Sequence, residues 1–174
     1  MSSIQKVKTI EEMEAIAEDL RIQQQRIVTT NGAYDILHVA HIHLLEKARA
    51  LGDALIVLVN SDESVRKFKS KPDDPRPINP ERERAEVLAA LESVDYVTIF
   101  PQDKPLDYLA RIKPHFHARG GSWDPVRLRE EIEFVARWGC EYRTFELEHG
   151  YSSTDTINKV RGSYGANPTL LHKM

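Results

Sequence analysis

Residues 54–60 read Ala-Leu-Ile-Val-Leu-Val-Asn, an apolar run with no polar alternation. A strand with one face in water alternates; a run this uniform suits a central strand of a parallel sheet, covered by helices on both faces. The rest of the chain is read around it. A helix is expected over 9–22, where Thr9 and Glu12 have the spacing of a capping box. "RIVTT" (26–30) reads as a strand, and a helix follows from about His38 to Leu51, stopped by Gly52. "KFKSKPDDPRPINP" (67–80) carries four prolines and three lysines and reads as a long surface loop. Asn79 and Pro80 suit the cap and first position of a helix ending near Ser93. Strands at 96–100, 115–118 and 141–147 alternate with helices at 105–113, 124–138 and 152–161. Such alternation specifies an α/β fold: a doubly wound, Rossmann-like, parallel five-stranded sheet with helices on both faces.

At 174 residues the chain fits a single domain. Residues 1–25 are expected to pack an N-terminal helix on a domain spanning 26–161, with an unpatterned tail over 162–174. The net charge of −3 gives no global case for nucleic-acid binding, so any anion site must be local. Cys140 is the only cysteine, which excludes an intrachain disulfide and a Cys-rich zinc site. The first residues lack the apolar core of a secretory signal, and no apolar run approaches bilayer-spanning length. A cytoplasmic protein is expected, with no membrane contact. Leu170 and Leu171 in the tail suggest a surface for a homodimer.

In doubly wound folds, ligands bind beyond the carboxyl ends of the strands. Four segments qualify: 30–41, 60–79, 119–123 and 150–156. The first contains a glycine turn, Thr30-Asn31-Gly32-Ala33-Tyr34-Asp35, followed by His38-Val39-Ala40-His41 at a helix start. Free N–H groups and the positive dipole end make a helix N-terminus an anion site. Residues 38 and 41 share one helical face. A pair of capping or packing histidines is the bland alternative; a metal pair lacks a third ligand at a signalling spacing, and no metal site is expected. Gly-x-Gly-x-x-Gly and Gly-x-x-x-x-Gly-Lys-Ser/Thr fingerprints are both absent.

"TNGAYDILHVAH" resembles the Thr-x-Gly-x-Phe-Asp-x-x-His-x-Gly-His signature of the cytidylyltransferase-like nucleotidyltransferases. The blocks "RPINPERERAEVLAALESVDYV" and "GYSSTDTI" look like the branch of bacterial heptose 1-phosphate adenylyltransferases. The resemblance implies transfer of AMP from ATP to a sugar 1-phosphate with release of pyrophosphate, aided by Mg²⁺ bound through the triphosphate. It implies catalytic roles for His38 and His41 on the β- and γ-phosphates, and for Lys69 on the α-phosphate. Thr30, Asn31, Gly32, Ala33, Tyr34, Ala40, Arg84, Ser152, Ser153 and Thr154 would bind the nucleotide. Asp35, Arg119, Gly120, Gly121, Ser122 and Trp123 would face the acceptor.

Ala40 stands where the signature has Gly, and Tyr34 where it has Phe. Arg119-Gly120-Gly121-Ser122-Trp123 replaces the branch's Lys-Gly-Gly-Asp-Tyr. Two other readings therefore stay open. One is a nucleotidyltransferase using CTP, or acting on glycerol phosphate, another polyol or sugar phosphate, or a flavin precursor. The other is a catalytically silent nucleotide-binding module.

Overall fold

The computed structural model describes residues 2–72, 74–121, 125–146 and 150–165. In chain order these form α1 (Ser3–Lys6), α2 (Ile10–Ile22), β1 (Ile27–Gly32), α3 (Val39–Arg49), β2 (Ala54–Asn60), α4 (Asp62–Lys69), α5 (Glu81–Ala89), β3 (Tyr96–Phe100), α6 (Leu106–Ile112), β4 (Phe116–Gly120), α7 (Pro125–Val135), β5 (Glu141–Phe145) and α8 (Ser153–Gly165). The five strands are all parallel, in the order β3-β2-β1-β4-β5.

The β2 run is buried along its whole length because successive side chains serve different cores. Leu55, Val57 and Val59 join Leu45 and Ala48 of α3 and Ala85, Leu88 and Ala89 of α5. Ala54, Ile56 and Leu58 join Met13, Ala17 and Leu20 of α2 and Leu109 and Ile112 of α6. Each fully buried Leu or Ile there contributes about 1.5–3 kcal/mol. Helix α2 is thus part of the second core, and Thr9 caps it with the expected reciprocal bonds to Glu12.

Strands β1 and β4 lie side by side although α3, β2, α4, α5, β3 and α6 separate them in the chain. The chain winds one way from β1 through β2 to β3, then crosses back to β4. The reversal opens a crevice at the carboxyl ends of β1 and β4.

Several local expectations need correction. Residues 62–69 are helical, where the polar stretch from 67 suggested loop. Only Ser64 and Val65 of α4 are buried, so it leaves almost no apolar period. Its signal is the cap: the Ser61 hydroxyl accepts from the Ser64 N–H at 3.1 Å, with Asp62 and Glu63 in the first turn and Arg66, Lys67 and Lys69 in the last. Asn79 does not cap α5. Pro80 holds that position, the helix ends at Ala89, and Asn79 is drawn onto Asp35. Helix α3 starts at Val39 with His38 as its cap residue. His115 precedes β4, and its Nδ1 accepts from the Ile27 N–H at 2.9 Å. β5 stops at Phe145, and α8 continues past Arg161 to Gly165. Leu170 and Leu171 lie outside the described residues.

Candidate active site

A cavity of about 530 Å³ occupies the crevice. Its floor is the end of β1 and the turn that follows, from Asn31 to Tyr34. Tyr34 is held at φ 48°, in the left-handed region, and is 5% exposed. A side chain of this size is seldom found there. The conformation folds the Tyr34 ring back over Gly32, where an added Cβ would lie 3.1 Å from the ring. A side chain at position 32 would therefore have to push the Tyr34 ring aside by a few tenths of an ångström. Gly120, at the end of β4, meets Leu44 of α3 even more tightly: an added Cβ would sit 2.9 Å from Leu44 Cδ2.

His38 and His41 form one wall. Their rings stack with centroids 3.8 Å apart, and the Tyr34 ring meets His41 edge-on at 5.2 Å. Burial lowers the pKa of His41 to about 4, helped by His38 and Lys69. His38 is lowered too, by burial first and then by Lys69. Both rings are neutral near pH 7, so each has one N–H to donate. Their Nδ1 atoms are buried without a hydrogen-bond partner among the described residues. A buried polar atom left unpaired is costly. Because His41 is depressed in the folded state, the unfolded chain takes its proton first. Its contribution to stability is level above about pH 6.5 and is lost as pH falls towards about 4, by up to about 3 kcal/mol. Urea melts at pH 7 and pH 5 should show a smaller acid loss for His41→Ala than for the parent; equal losses would refute the depressed pKa.

Further lining comes from α8 and α4. Ser152, Ser153 and Thr154 line the cavity at the start of α8. The Ser152 Oγ accepts from the Asp155 N–H at 2.9 Å, capping the helix, and the Ser153 hydroxyl donates to the Ile36 carbonyl at 3.1 Å. Two helix N-termini, of α3 and α8, thus converge on one space. Lys69, the last residue of α4, enters from the rim. Loss of water around its ammonium group lowers its pKa, with Arg76 and Arg84 adding to the effect and Asp35 opposing it.

The segment after α4 is pinned at its far end. The Asp35 carboxylate accepts from Arg76 Nε at 2.6 Å, from the Ile78 N–H at 2.8 Å and from the Asn79 N–H at 3.0 Å. Asn79 Nδ2 donates to the Asp35 carbonyl at 2.5 Å. Asp74 reaches Arg161 of α8 at 3.0 Å. Backbone bonds in both directions join Lys71 and Asp74 in an antiparallel bridge. The free loop expected over 67–80 is thus a helix end, a bridge and a buried anchor.

Of the expected contact residues that are described, Thr30, Asp35, Arg84, Arg119 and Gly121 do not line the cavity. Asp35 is 3% exposed and faces its anchor rather than an acceptor. Arg84 is 2% exposed: it donates to the carbonyls of Ala33, Asn60 and Asn79 and pairs with Asp62 at 2.8 Å. It shapes the first turn from behind. Thr30 is fully buried. Arg119 turns inward, donating to Asn31 Oδ1 and lying 3.8 Å from Glu131. His38, His41, Lys69, Asn31, Gly32, Ala33, Tyr34, Ala40, Gly120 and the 152–154 turn are brought together. Gly121 turns the chain at φ 113° without lining the cavity. Ser122 and Trp123 lie outside the described residues.

Sequence reasoning missed Leu44, Lys47, Phe145, Glu146 and Tyr151, all on the cavity wall. Leu44 and Lys47 carried a signal: they continue the face of α3 that bears His41, at three-residue steps. Tyr151 is half-exposed and its ring lies 6.3 Å from that of His38, extending the stack of His38 on His41.

Residues 29–159 match the family described as cytidylyltransferase-like. This chain belongs to the cytidylyltransferase-like family. The matched span contains both histidines, Lys69 and the 152–154 turn. It is 43% identical over 153 residues to the bifunctional protein HldE of Methylococcus capsulatus, covering 88% of this chain. With HldE of Helicobacter pylori it is 42% identical over 149 residues, 86% of this chain. These matches span 32% and 30% of the respective relatives. The crystal structure of a lipopolysaccharide core biosynthesis protein from Thermoplasma volcanium superposes with a TM-score of 0.57 at 25% identity, over 71% of this chain and 97% of that one. A pantoate-beta-alanine ligase from Francisella tularensis, 18% identical, shares the fold with a TM-score of 0.61 over 91% of this chain and 77% of that one. No helix among the described residues is long and apolar enough to cross a membrane.

Proposed function

We propose that the protein transfers AMP from ATP to a sugar 1-phosphate, with a heptose 1-phosphate as the acceptor. The observation that carries the reading is the neutral, stacked His38–His41 pair lining a cavity that two helix N-termini and Lys69 share. Such a wall suits a triphosphate. An oxygen of the acceptor phosphate attacks the α-phosphorus, the bond from the α-phosphorus to the bridging oxygen breaks, and pyrophosphate leaves with that electron pair. The nucleophile is already an anion near neutral pH, so no general base is needed. Catalysis rests on positioning and on charge stabilisation. Lys69 neutralises the α-phosphate, and the histidines donate to the leaving pyrophosphate.

Among the described residues no group of three or more His, Cys, Asp or Glu is placed to hold a metal ion. The two carboxylates on the cavity wall, Asp74 and Glu146, do not make a cage. Mg²⁺ is therefore expected to enter on the triphosphate, held mainly by phosphate oxygens and water, and to neutralise charge there. The sugar acceptor is supported by the resemblance of the signature blocks to the heptose branch, and by the likeness to a lipopolysaccharide core biosynthesis protein.

The test is pyrophosphate release with Mg²⁺ and either ATP or CTP, against a panel of sugar and polyol phosphates. ATP with a heptose 1-phosphate should give the highest kcat/KM. A preference for CTP would replace the donor, and binding of nucleotide without release on any acceptor would replace the enzyme with a binding module.

A further inference from the structure

We infer that Arg119 and Glu131 are positioning residues that fix Asn31 as a phosphate donor. The role assumes the triphosphate site proposed above. Asn31 ends β1 on the cavity floor and is 9% exposed. Its Oδ1 accepts from the Arg119 guanidinium. Arginine donates and never accepts, so the amide atom facing it must be the oxygen. The Nδ2 hydrogens are left for the cavity side, where they meet an anion.

Arg119 can hold that orientation only if it is itself held. It is 3% exposed on β4, and Glu131 of α7, 2% exposed, lies 3.8 Å from its Nη1. Glu131 is fixed in turn by the Tyr142 hydroxyl of β5, which donates to its Oε2 at 2.8 Å. The Tyr142 ring lies 5.3 Å from that of His117, whose Nδ1 is 2.8 Å from Thr29 Oγ1 on β1. The chain of contacts begins on β1, crosses β4 and β5 to α7, and returns to β1 at Asn31. Burying an arginine and a glutamate is expensive unless each is paired. Here the pair sits behind the floor of the anion site. Removing its charge loosens the hold on Arg119, and with it on the amide.

Two measurements test this. Affinity for inorganic tripolyphosphate reads the phosphate donor alone, whichever nucleotide is used. Asn31→Asp keeps an acceptor for Arg119 but turns an oxygen to the phosphates. It should weaken binding about tenfold or more, the order expected for losing a hydrogen bond to a charged group, with the melting temperature unchanged or raised. Glu131→Gln should weaken binding severalfold in the parent and not at all in Asn31→Ala, because it acts only through that amide. A purely structural Glu131 would cost the same factor in both backgrounds. Either that result or an Asn31→Asp variant with parental affinity overturns the inference, and Asn31→Asp decides alone if Glu131→Gln does not fold. Tripolyphosphate binding with this coupling but no turnover of ATP would remove the proposed reaction and leave the inference standing. Turnover of ATP without the coupling would do the opposite, and a parent that binds no tripolyphosphate removes both.

Discussion

Replacing either His38 or His41 by alanine lowers the rate of pyrophosphate release about a hundredfold or more, the order for losing a preorganised donor to developing charge. The double variant loses less than the product of the two, because stacked rings 3.8 Å apart serve one anion and such groups are non-additive. The melting temperature at pH 7 changes little, since neither histidine belongs to the two apolar cores. The stabilisation that triphosphate confers shrinks, as binding energy is lost. If the histidines only cap and pack, the pattern reverses: melting temperature falls, and activity tracks the folded fraction. Thermal melts and release kinetics on the three variants separate the two.

Lys69→Ala is expected to lower turnover by roughly ten- to a hundredfold. Lys67→Ala should cost less than about twofold, because its ammonium pairs with exposed Glu63 at 2.7 Å and such pairs contribute little. Lys71 lies on the cavity wall but in the bridge rather than on α4, and its loss should fall well below that of Lys69. The distinction follows from the helix: α4 holds Lys69 at its end, at the rim of the cavity. Steady-state kinetics on the three variants decide it; equal small losses would mean a solvated charge run.

What was legible in the sequence, and what was not, divides along physical lines. The β2 run announced its environment because a strand covered on both faces has no choice of composition. Thr9 and Glu12 announced a helix start because the capping box is local. The histidine pair was legible because both its spacing and the glycine turn before it are local too. Asp35, Arg84 and Arg119 were read as contacts and are supports. For each, the partner that decides the matter lies far along the chain: Arg76 for Asp35, Asp62 for Arg84, Glu131 for Arg119. A charged residue near a site advertises charge, not direction. Helix α4 was missed because tertiary contact buries so little of it. Phe145 and Tyr151 were missed because ordinary aromatic residues at element ends carry no chemical mark; Leu44 was missed although it continues the face of α3 that bears His41.

The Asp35 anchor ties two stretches of chain that are 41 residues apart into one unit of inheritance. A chimera that imports a relative's 70–79 segment also imports whatever that relative placed at positions 76, 78 and 79. Unless residue 35 travels with it, an arginine or a carboxylate is stranded in the interior, where an unmatched charge costs several kcal/mol. This part of the scaffold is therefore open to exchange only in matched halves: the signature turn and the strap behind it must evolve together or be transplanted together.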